Sequence, residues 1–176
     1  MVPIFGEECY VPKSLGDLEL NAVIVDENEK LGFQARYEKG ATKCDLYIYD
    51  FGLFPLPDDV KHEIVLNHFR DCVGGIVQLS DIGAYSDFVL GPSDGLQFPV
   101  NNSEKIFLHS QCEFSTPDSE ISIDIGMQRS HLMLTTMKGY FLKIRCSYPK
   151  HDRNERIQVM YGFVLESLKT IDEFIA

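Results

Sequence analysis

Positive charge is scarce in this chain: 16 Lys and Arg stand against 27 Asp and Glu, a formal net charge of -11. Affinity for DNA, RNA or anionic membranes rests on cationic contacts to phosphate, so the balance argues against all three. It would steer a basic protein partner or substrate, and it is equally the mark of a solvated acidic surface with no partner meaning. Other absences narrow the chemistry. There is no glycine-rich phosphate loop, no V-A-I-K lysine and no H-R-D loop. Asp50-Phe51-Gly52 spells the kinase magnesium motif, but it therefore reads as a strand end followed by a turn. There is no G-x-S-x-G elbow. The five cysteines (Cys9, Cys44, Cys72, Cys112, Cys146) are odd in number and scattered, with no C-x-x-C pair. Cys44, Cys112 and Cys146 lie in strand-like runs and read as small buried hydrophobes, which favours a reducing compartment.

No run approaches the length of a membrane span, and MVPIFGEECYVPKSL has neither a basic n-region nor an apolar h-region. The expected location is the cytoplasm if Met1 is the native start, and the periplasm if a native leader was removed. No repeat or low-complexity segment interrupts the chain, and one globular domain over residues 1–176 is expected.

What is present is organised around residues 121–148. ISIDIGM, HLMLTTM and YFLKIRCSY are rich in β-branched, long apolar and aromatic residues, and Lys138-Gly139 offers a turn between the last two. A helix over about 155–174 follows, with Ile157, Met160, Tyr161, Val164, Leu168 and Ile171 on one face. Earlier, LGFQARYEKG and TKCDLYIYDFG alternate as two strands. In the second, Cys44, Leu46 and Ile48 take one face, and Asp45, Tyr47 and Tyr49 the other. Asp58-Asp59 supplies the start of a first helix carrying Ile64, Val65, Leu66, Phe69 and Val73, and Gly74-Gly75 weakens it. Two further strands, around FVL and KIFLHSQCEF, are separated by a Gly-Pro-Ser-Asp-Gly turn. Strands, helix, antiparallel strands and helix in that order predict an α+β fold: a single antiparallel sheet of about six or seven strands with helices packed on it.

CDLYIYDFGLFPLPDDV, FLKIRCSYP and the terminal FVLESLKTI resemble the Mog/PsbP-like fold, an antiparallel sheet with packed helices. More closely, they are similar to a proteobacterial family with a D-x-Y-I-Y-D-x-G strand, a P-D helix start and a late K-I-R-x-x-Y strand. The likeness runs through nearly the whole chain, but its motifs are structural. It implies an interaction or accessory domain and carries no catalytic residues across. Members of that family often bear leader peptides, and this sequence shows none.

Each candidate site has a plain structural alternative. Asp58 and His62, four apart on the expected helix, have the spacing of metal ligands, but acids at a helix start are ordinary caps; no metal or cofactor is expected. Cys72, Ser130 or Ser147 can be paired with a histidine on paper, which by itself selects none of them as a nucleophile. The richest stretch is 47–59. Tyr47, Tyr49 and Phe54 beside Asp58 and Asp59 make an interaction surface for a basic partner, or else a sheet face lying under a helix. The leading expectation is a non-enzymatic interaction domain. A small enzyme with a dispersed site and an acidic immunity-type protein neutralising a basic partner are the alternatives.

Overall fold

A computed structural model describes residues 11–101, 103–116 and 126–174, with side chains omitted at 29, 152–154 and 174. Eight strands form one sheet: β1 (Ser14–Leu15), β2 (Leu18–Val25), β3 (Phe33–Lys39), β4 (Thr42–Tyr49), β5 (Ser86–Val100), β6 (Ser103–Ser115), β7 (Gln128–Met137) and β8 (Tyr140–Pro149). Helix α1 (Glu63–Asp81) follows β4 and α2 (Arg153–Phe174) follows β8. The strand order is β1-β2-β3-β4-β8-β7-β6-β5, with every neighbouring pair antiparallel. The α+β expectation holds, with eight strands in place of six or seven. The residues ahead of β3 supply β1 and β2, and the strand expected over ISIDIGM falls largely on 121–125, outside the described residues.

The chain reaches this order by one long jump. After β4 it crosses one face of the sheet as α1, enters the far edge as β5 and returns strand by strand until β8 closes on β4. The β7–β8 hairpin turns on Lys138 and Gly139, both at positive φ (54° and 86°), the geometry of the tightest two-residue hairpins. The expected Gly-Pro-Ser-Asp-Gly turn does not exist. Gly91 to Gly95 remain inside the 15-residue β5, where the register with β6 shifts at bulges, and the chain reverses only at Asn101. Bulges accommodate the proline, which has no ladder donor to offer.

Alternation along each strand sends apolar residues to both faces, and each face has its own helix. On one, Ala35, Tyr37, Cys44, Leu46, Ile48, Met133 and Ile144 pack under Met160, Phe163, Val164 and Leu168 of α2. On the other, Tyr49, Leu132, Leu134, Phe141, Cys112 and Phe114 pack under Val65, Phe69 and Ile76 of α1. Strand β7 is buried along its entire length because both helices cover it. Two helix expectations are corrected. Helix α1 begins at Glu63, not at Asp58-Asp59: Pro57 and the turn at Asp59 delay it, and the His62 Nδ1 caps the Ile64 amide at 3.3 Å. It then runs through Gly74-Gly75 to Asp81, since burial of Ile76 against the sheet outweighs the propensity cost of about 1 kcal/mol per glycine.

The cysteine reading is also corrected. Cys44 and Cys146 face each other directly across β4 and β8, with Cα atoms 4.1 Å apart, and form a disulfide. They read as isolated small hydrophobes because 102 residues separate them in sequence. Cys112 is free and buried, as expected, and Cys72 is free and half-buried.

Candidate functional site

The five residues 47, 49, 54, 58 and 59 divide between a buried layer and a surface. Tyr49 is only 4% exposed. Its ring meets Phe141 at 5.5 Å, and its hydroxyl donates to the Nε2 of His68 at 2.6 Å. That acceptor role requires a neutral imidazole protonated on Nδ1. Burial, with Lys143 nearby, lowers the His68 pKa to about 4, which agrees with the geometry. The Cys72 thiol, one helical turn on, lies 3.6 Å from the same Nε2, and burial pushes its pKa up. The result is a neutral thiol beside a neutral imidazole, a poor nucleophile at neutral pH. Tyr47 is half-buried, with the Lys143 ammonium 4.1 Å from its ring centroid, and burial, with Asp45 beside it, pushes its hydroxyl up to about 12.

Phe54, Asp58 and Asp59 belong to the connection between β4 and α1. Here the chain is pinned at several points. The Phe51 amide donates to the Lys30 carbonyl at 2.8 Å, and the Leu53 amide to the Asp50 carbonyl at 3.0 Å. The Leu56 amide reaches the Gly139 carbonyl at 2.9 Å, and the Thr136 hydroxyl donates to the Pro57 carbonyl at 2.7 Å. Asp50 closes the Asp-Phe-Gly turn by accepting from the Gly52 amide at 2.6 Å, a structural role as expected. Between the pins, Phe51, Leu53 and Phe54 are 43%, 49% and 54% exposed. Phe54 rests one edge on the β7–β8 turn and stacks near Tyr140, ring centroids 4.9 Å apart.

Asp58 and Asp59 line a cleft of about 450 Å³ between this loop, the start of β6, the end of β7 and the end of α2. Its charges are largely paired: Asp58 with Lys105, and Asp172 with Lys138 (3.7 Å) and with the Asn101 amide (2.6 Å). His62 caps α1 and does not share a helical face with Asp58. Among the described residues, no three His, Cys, Asp or Glu converge to hold a metal ion.

Sequence reasoning missed a polar chain on the α2 face. Asp94 Oδ1 accepts from His109 Nδ1 at 2.5 Å, His109 Nε2 lies 2.9 Å from His131 Nδ1, and His131 Nε2 lies 2.8 Å from the Tyr148 hydroxyl. These residues come from β5, β6, β7 and β8; Asp94 lies directly opposite His109 and the later steps run diagonally, so only the pairing register brings them together. Beside them, Glu113 accepts from Arg129 and Lys150, both at 2.5 Å, and these bonds hold its carboxyl below the usual range.

The fold and these sites define an α+β protein with one eight-stranded antiparallel sheet clasped between two helices, and a rigid apolar loop with acidic neighbours. No protein-family model matches the chain, and no curated protein matches it. Among the described residues no helix is long and apolar enough to cross a membrane.

Proposed function

We propose that this chain is a non-enzymatic protein-binding module that engages a partner with a basic surface through the loop between β4 and α1. The observation that carries this is the triple exposure of Phe51, Leu53 and Phe54 on a segment held by backbone hydrogen bonds, with Asp58 and Asp59 alongside. Interfaces of this kind have an apolar centre within a charged rim, and a pre-ordered loop loses little entropy on docking. Phe54, Asp58 and Asp59 act in contact with the partner, while Tyr47 and Tyr49 support the loop from beneath. The net charge of -11 steers a cationic partner and supports the form of this reading in which an immunity-type protein neutralises a basic one.

The sheet with a helix on each face supports a Mog/PsbP-like fold assignment and, with it, membership of the proteobacterial family that the sequence resembles. The Cys44–Cys146 disulfide supports an oxidising compartment such as the periplasm. The small-enzyme reading has its histidine–carboxylate and histidine–thiol meetings, at His109–Asp94 and His68–Cys72. Neither pair lines the cleft, so the binding reading has the stronger support.

The test compares immobilised wild type with a Leu53→Ala/Phe54→Ala variant and an Asp58→Asn/Asp59→Asn variant, each first shown to keep its thermal midpoint. A partner retained by wild type, lost in the first variant and released by salt sooner in the second carries the proposal. A partner held equally by all three removes this loop from it.

A further inference from the structure

Helix α1 packs over the β6–β7–β8 half of its face of the sheet and over Tyr49, while Gln34, Arg36, Glu38, Asp45 and Tyr47 of β3 and β4 on that face are only half-buried. Alternation turns Gln34, Arg36 and Glu38 of β3, Lys43, Asp45 and Tyr47 of β4, and Lys143, Arg145 and Ser147 of β8 toward this face. Four cations thus meet two carboxylates, on a protein whose overall charge is -11. The two carboxylates are taken. Asp45 accepts from Arg36 at 2.8 Å and from the Gln34 amide at 2.9 Å, and Glu38 pairs with Lys43 at 3.9 Å.

Lys143 and Arg145 remain. They occupy successive same-face positions of one strand, both half-buried, and neither forms an ion pair with a carboxylate among the described residues. Arg145 is held by neutral hydroxyls only: its Nη2 donates to Tyr85 at 2.8 Å and its Nε to Ser130 at 3.2 Å. Lys143 lies against the rings of Tyr47 (4.1 Å) and Tyr49 (5.4 Å). Burial, with Arg145 alongside, holds its ammonium below the usual lysine range. Two like charges placed side by side and partly desolvated are costly. Asp45, directly opposite Arg145 across β4 and β8 but shared with Arg36 and Gln34, and the cation–π contact offset only part of that cost. An incoming anion relieves the rest.

We infer that Lys143 and Arg145, walled by the rings of Tyr47 and Tyr85, form a binding site for a small organic anion. A carboxylate or phosphate head lies between the two cations, and a planar body lies along the tyrosine rings. The site is separate from the loop between β4 and α1, whose charge is negative, and it stands or falls without it. Arginine and lysine together suit such a head group, the guanidinium by its planar fork and the ammonium as a point charge.

The experiment is an NMR titration of the whole chain with sodium benzoate, with phenyl phosphate and with inorganic phosphate at constant ionic strength. Saturable shifts centred on Tyr47, Tyr85, Lys143 and Arg145 are expected with an organic anion. Affinity should fall roughly tenfold or more in Lys143→Met and in Arg145→Met, and stay unchanged in Lys138→Met, whose partner is Asp172 in the cleft. Tighter binding of phenyl phosphate assigns the head as phosphate, and tighter binding of benzoate assigns it as carboxylate. Inorganic phosphate binding as well as either organic probe overturns the role of the rings. No saturable shift in wild type at millimolar concentration overturns the site, and so does undiminished affinity in both cation variants. Should a variant fail to fold, the wild-type shift map decides alone: shifts centred elsewhere reject the proposal.

Discussion

His109 and His131 meet nitrogen to nitrogen at 2.9 Å in the interior, their rings nearly parallel at 15°. A bond between two imidazoles needs a proton on one nitrogen and a lone pair on the other. With both rings neutral, Asp94 sets the direction: its carboxylate accepts from His109 Nδ1, Nε2 then accepts from His131 Nδ1, and His131 Nε2 accepts from Tyr148. Both imidazoles are therefore expected as Nδ1–H tautomers, the less common form in water. Long-range nitrogen–proton NMR reads this directly, and an Nε2–H tautomer at either ring breaks the assignment. Replacing His131 by Phe strands His109 Nε2 and removes a partner from the buried Tyr148 hydroxyl. Loss of about 2–4 kcal/mol is expected in urea unfolding.

His68 makes stability depend on mild acid. Its pKa in the folded chain is about 4, below the ordinary 6.5, so the native state refuses a proton that the unfolded chain accepts. The contribution is complete above about pH 6.5 and is lost as pH falls toward about 4. His68→Gln keeps an acceptor for Tyr49 and removes the titration. Discounted for partial exposure, the variant should shed about 1–2 kcal/mol of acid destabilisation across that window. Identical stability–pH curves for the two proteins would count against it.

The Cys44–Cys146 bridge ties the two strands that the chain brings together last. Closing a loop of 102 residues stabilises mainly by restricting the unfolded chain. Cys146→Ser, or reduction, is expected to cost about 2–5 kcal/mol. Alkylation in denaturant without reductant should leave Cys44 and Cys146 unlabelled, and labelling of both would remove the bridge.

Gly139 couples the β7–β8 turn to the exposed loop. A Cβ there would come within 2.6 Å of the Phe54 ring and 3.2 Å of Pro55, on a backbone already at φ 86°. Gly139→Ala is expected to lower stability by about 1–3 kcal/mol and to displace Phe54. Partner binding should weaken with it, and unchanged binding would separate the loop's conformation from recognition.

Much of the framework is legible in residue order. The alternation of Cys44, Leu46 and Ile48 against Asp45, Tyr47 and Tyr49 gives the two faces of β4 correctly, and Lys138-Gly139 marks the hairpin turn. These features are local: side-chain period two and positive φ are written in adjacent residues. The α1 boundary and the continuity of β5 are misjudged because burial of Ile76 and pairing with β6 override glycine and proline signals. The candidate surface is half legible. Phe54, Asp58 and Asp59 are exposed or line the cleft, but nothing local distinguishes the depth of Tyr49 from that of Tyr47.

The sequence by itself determined the α+β class, the sign of the surface charge and the facing of most strand residues, since each follows from composition or from neighbours one or two positions away. Tertiary structure alone decided that β8 returns to β4. From that one closure come the Cys44–Cys146 bridge and the placing of Lys143 and Arg145 beside Tyr47, while the path from Asp94 to Tyr148 comes from the register of β5 through β8. Each joins residues dozens of positions apart, and their meeting depends on strand order and register, which no local preference encodes.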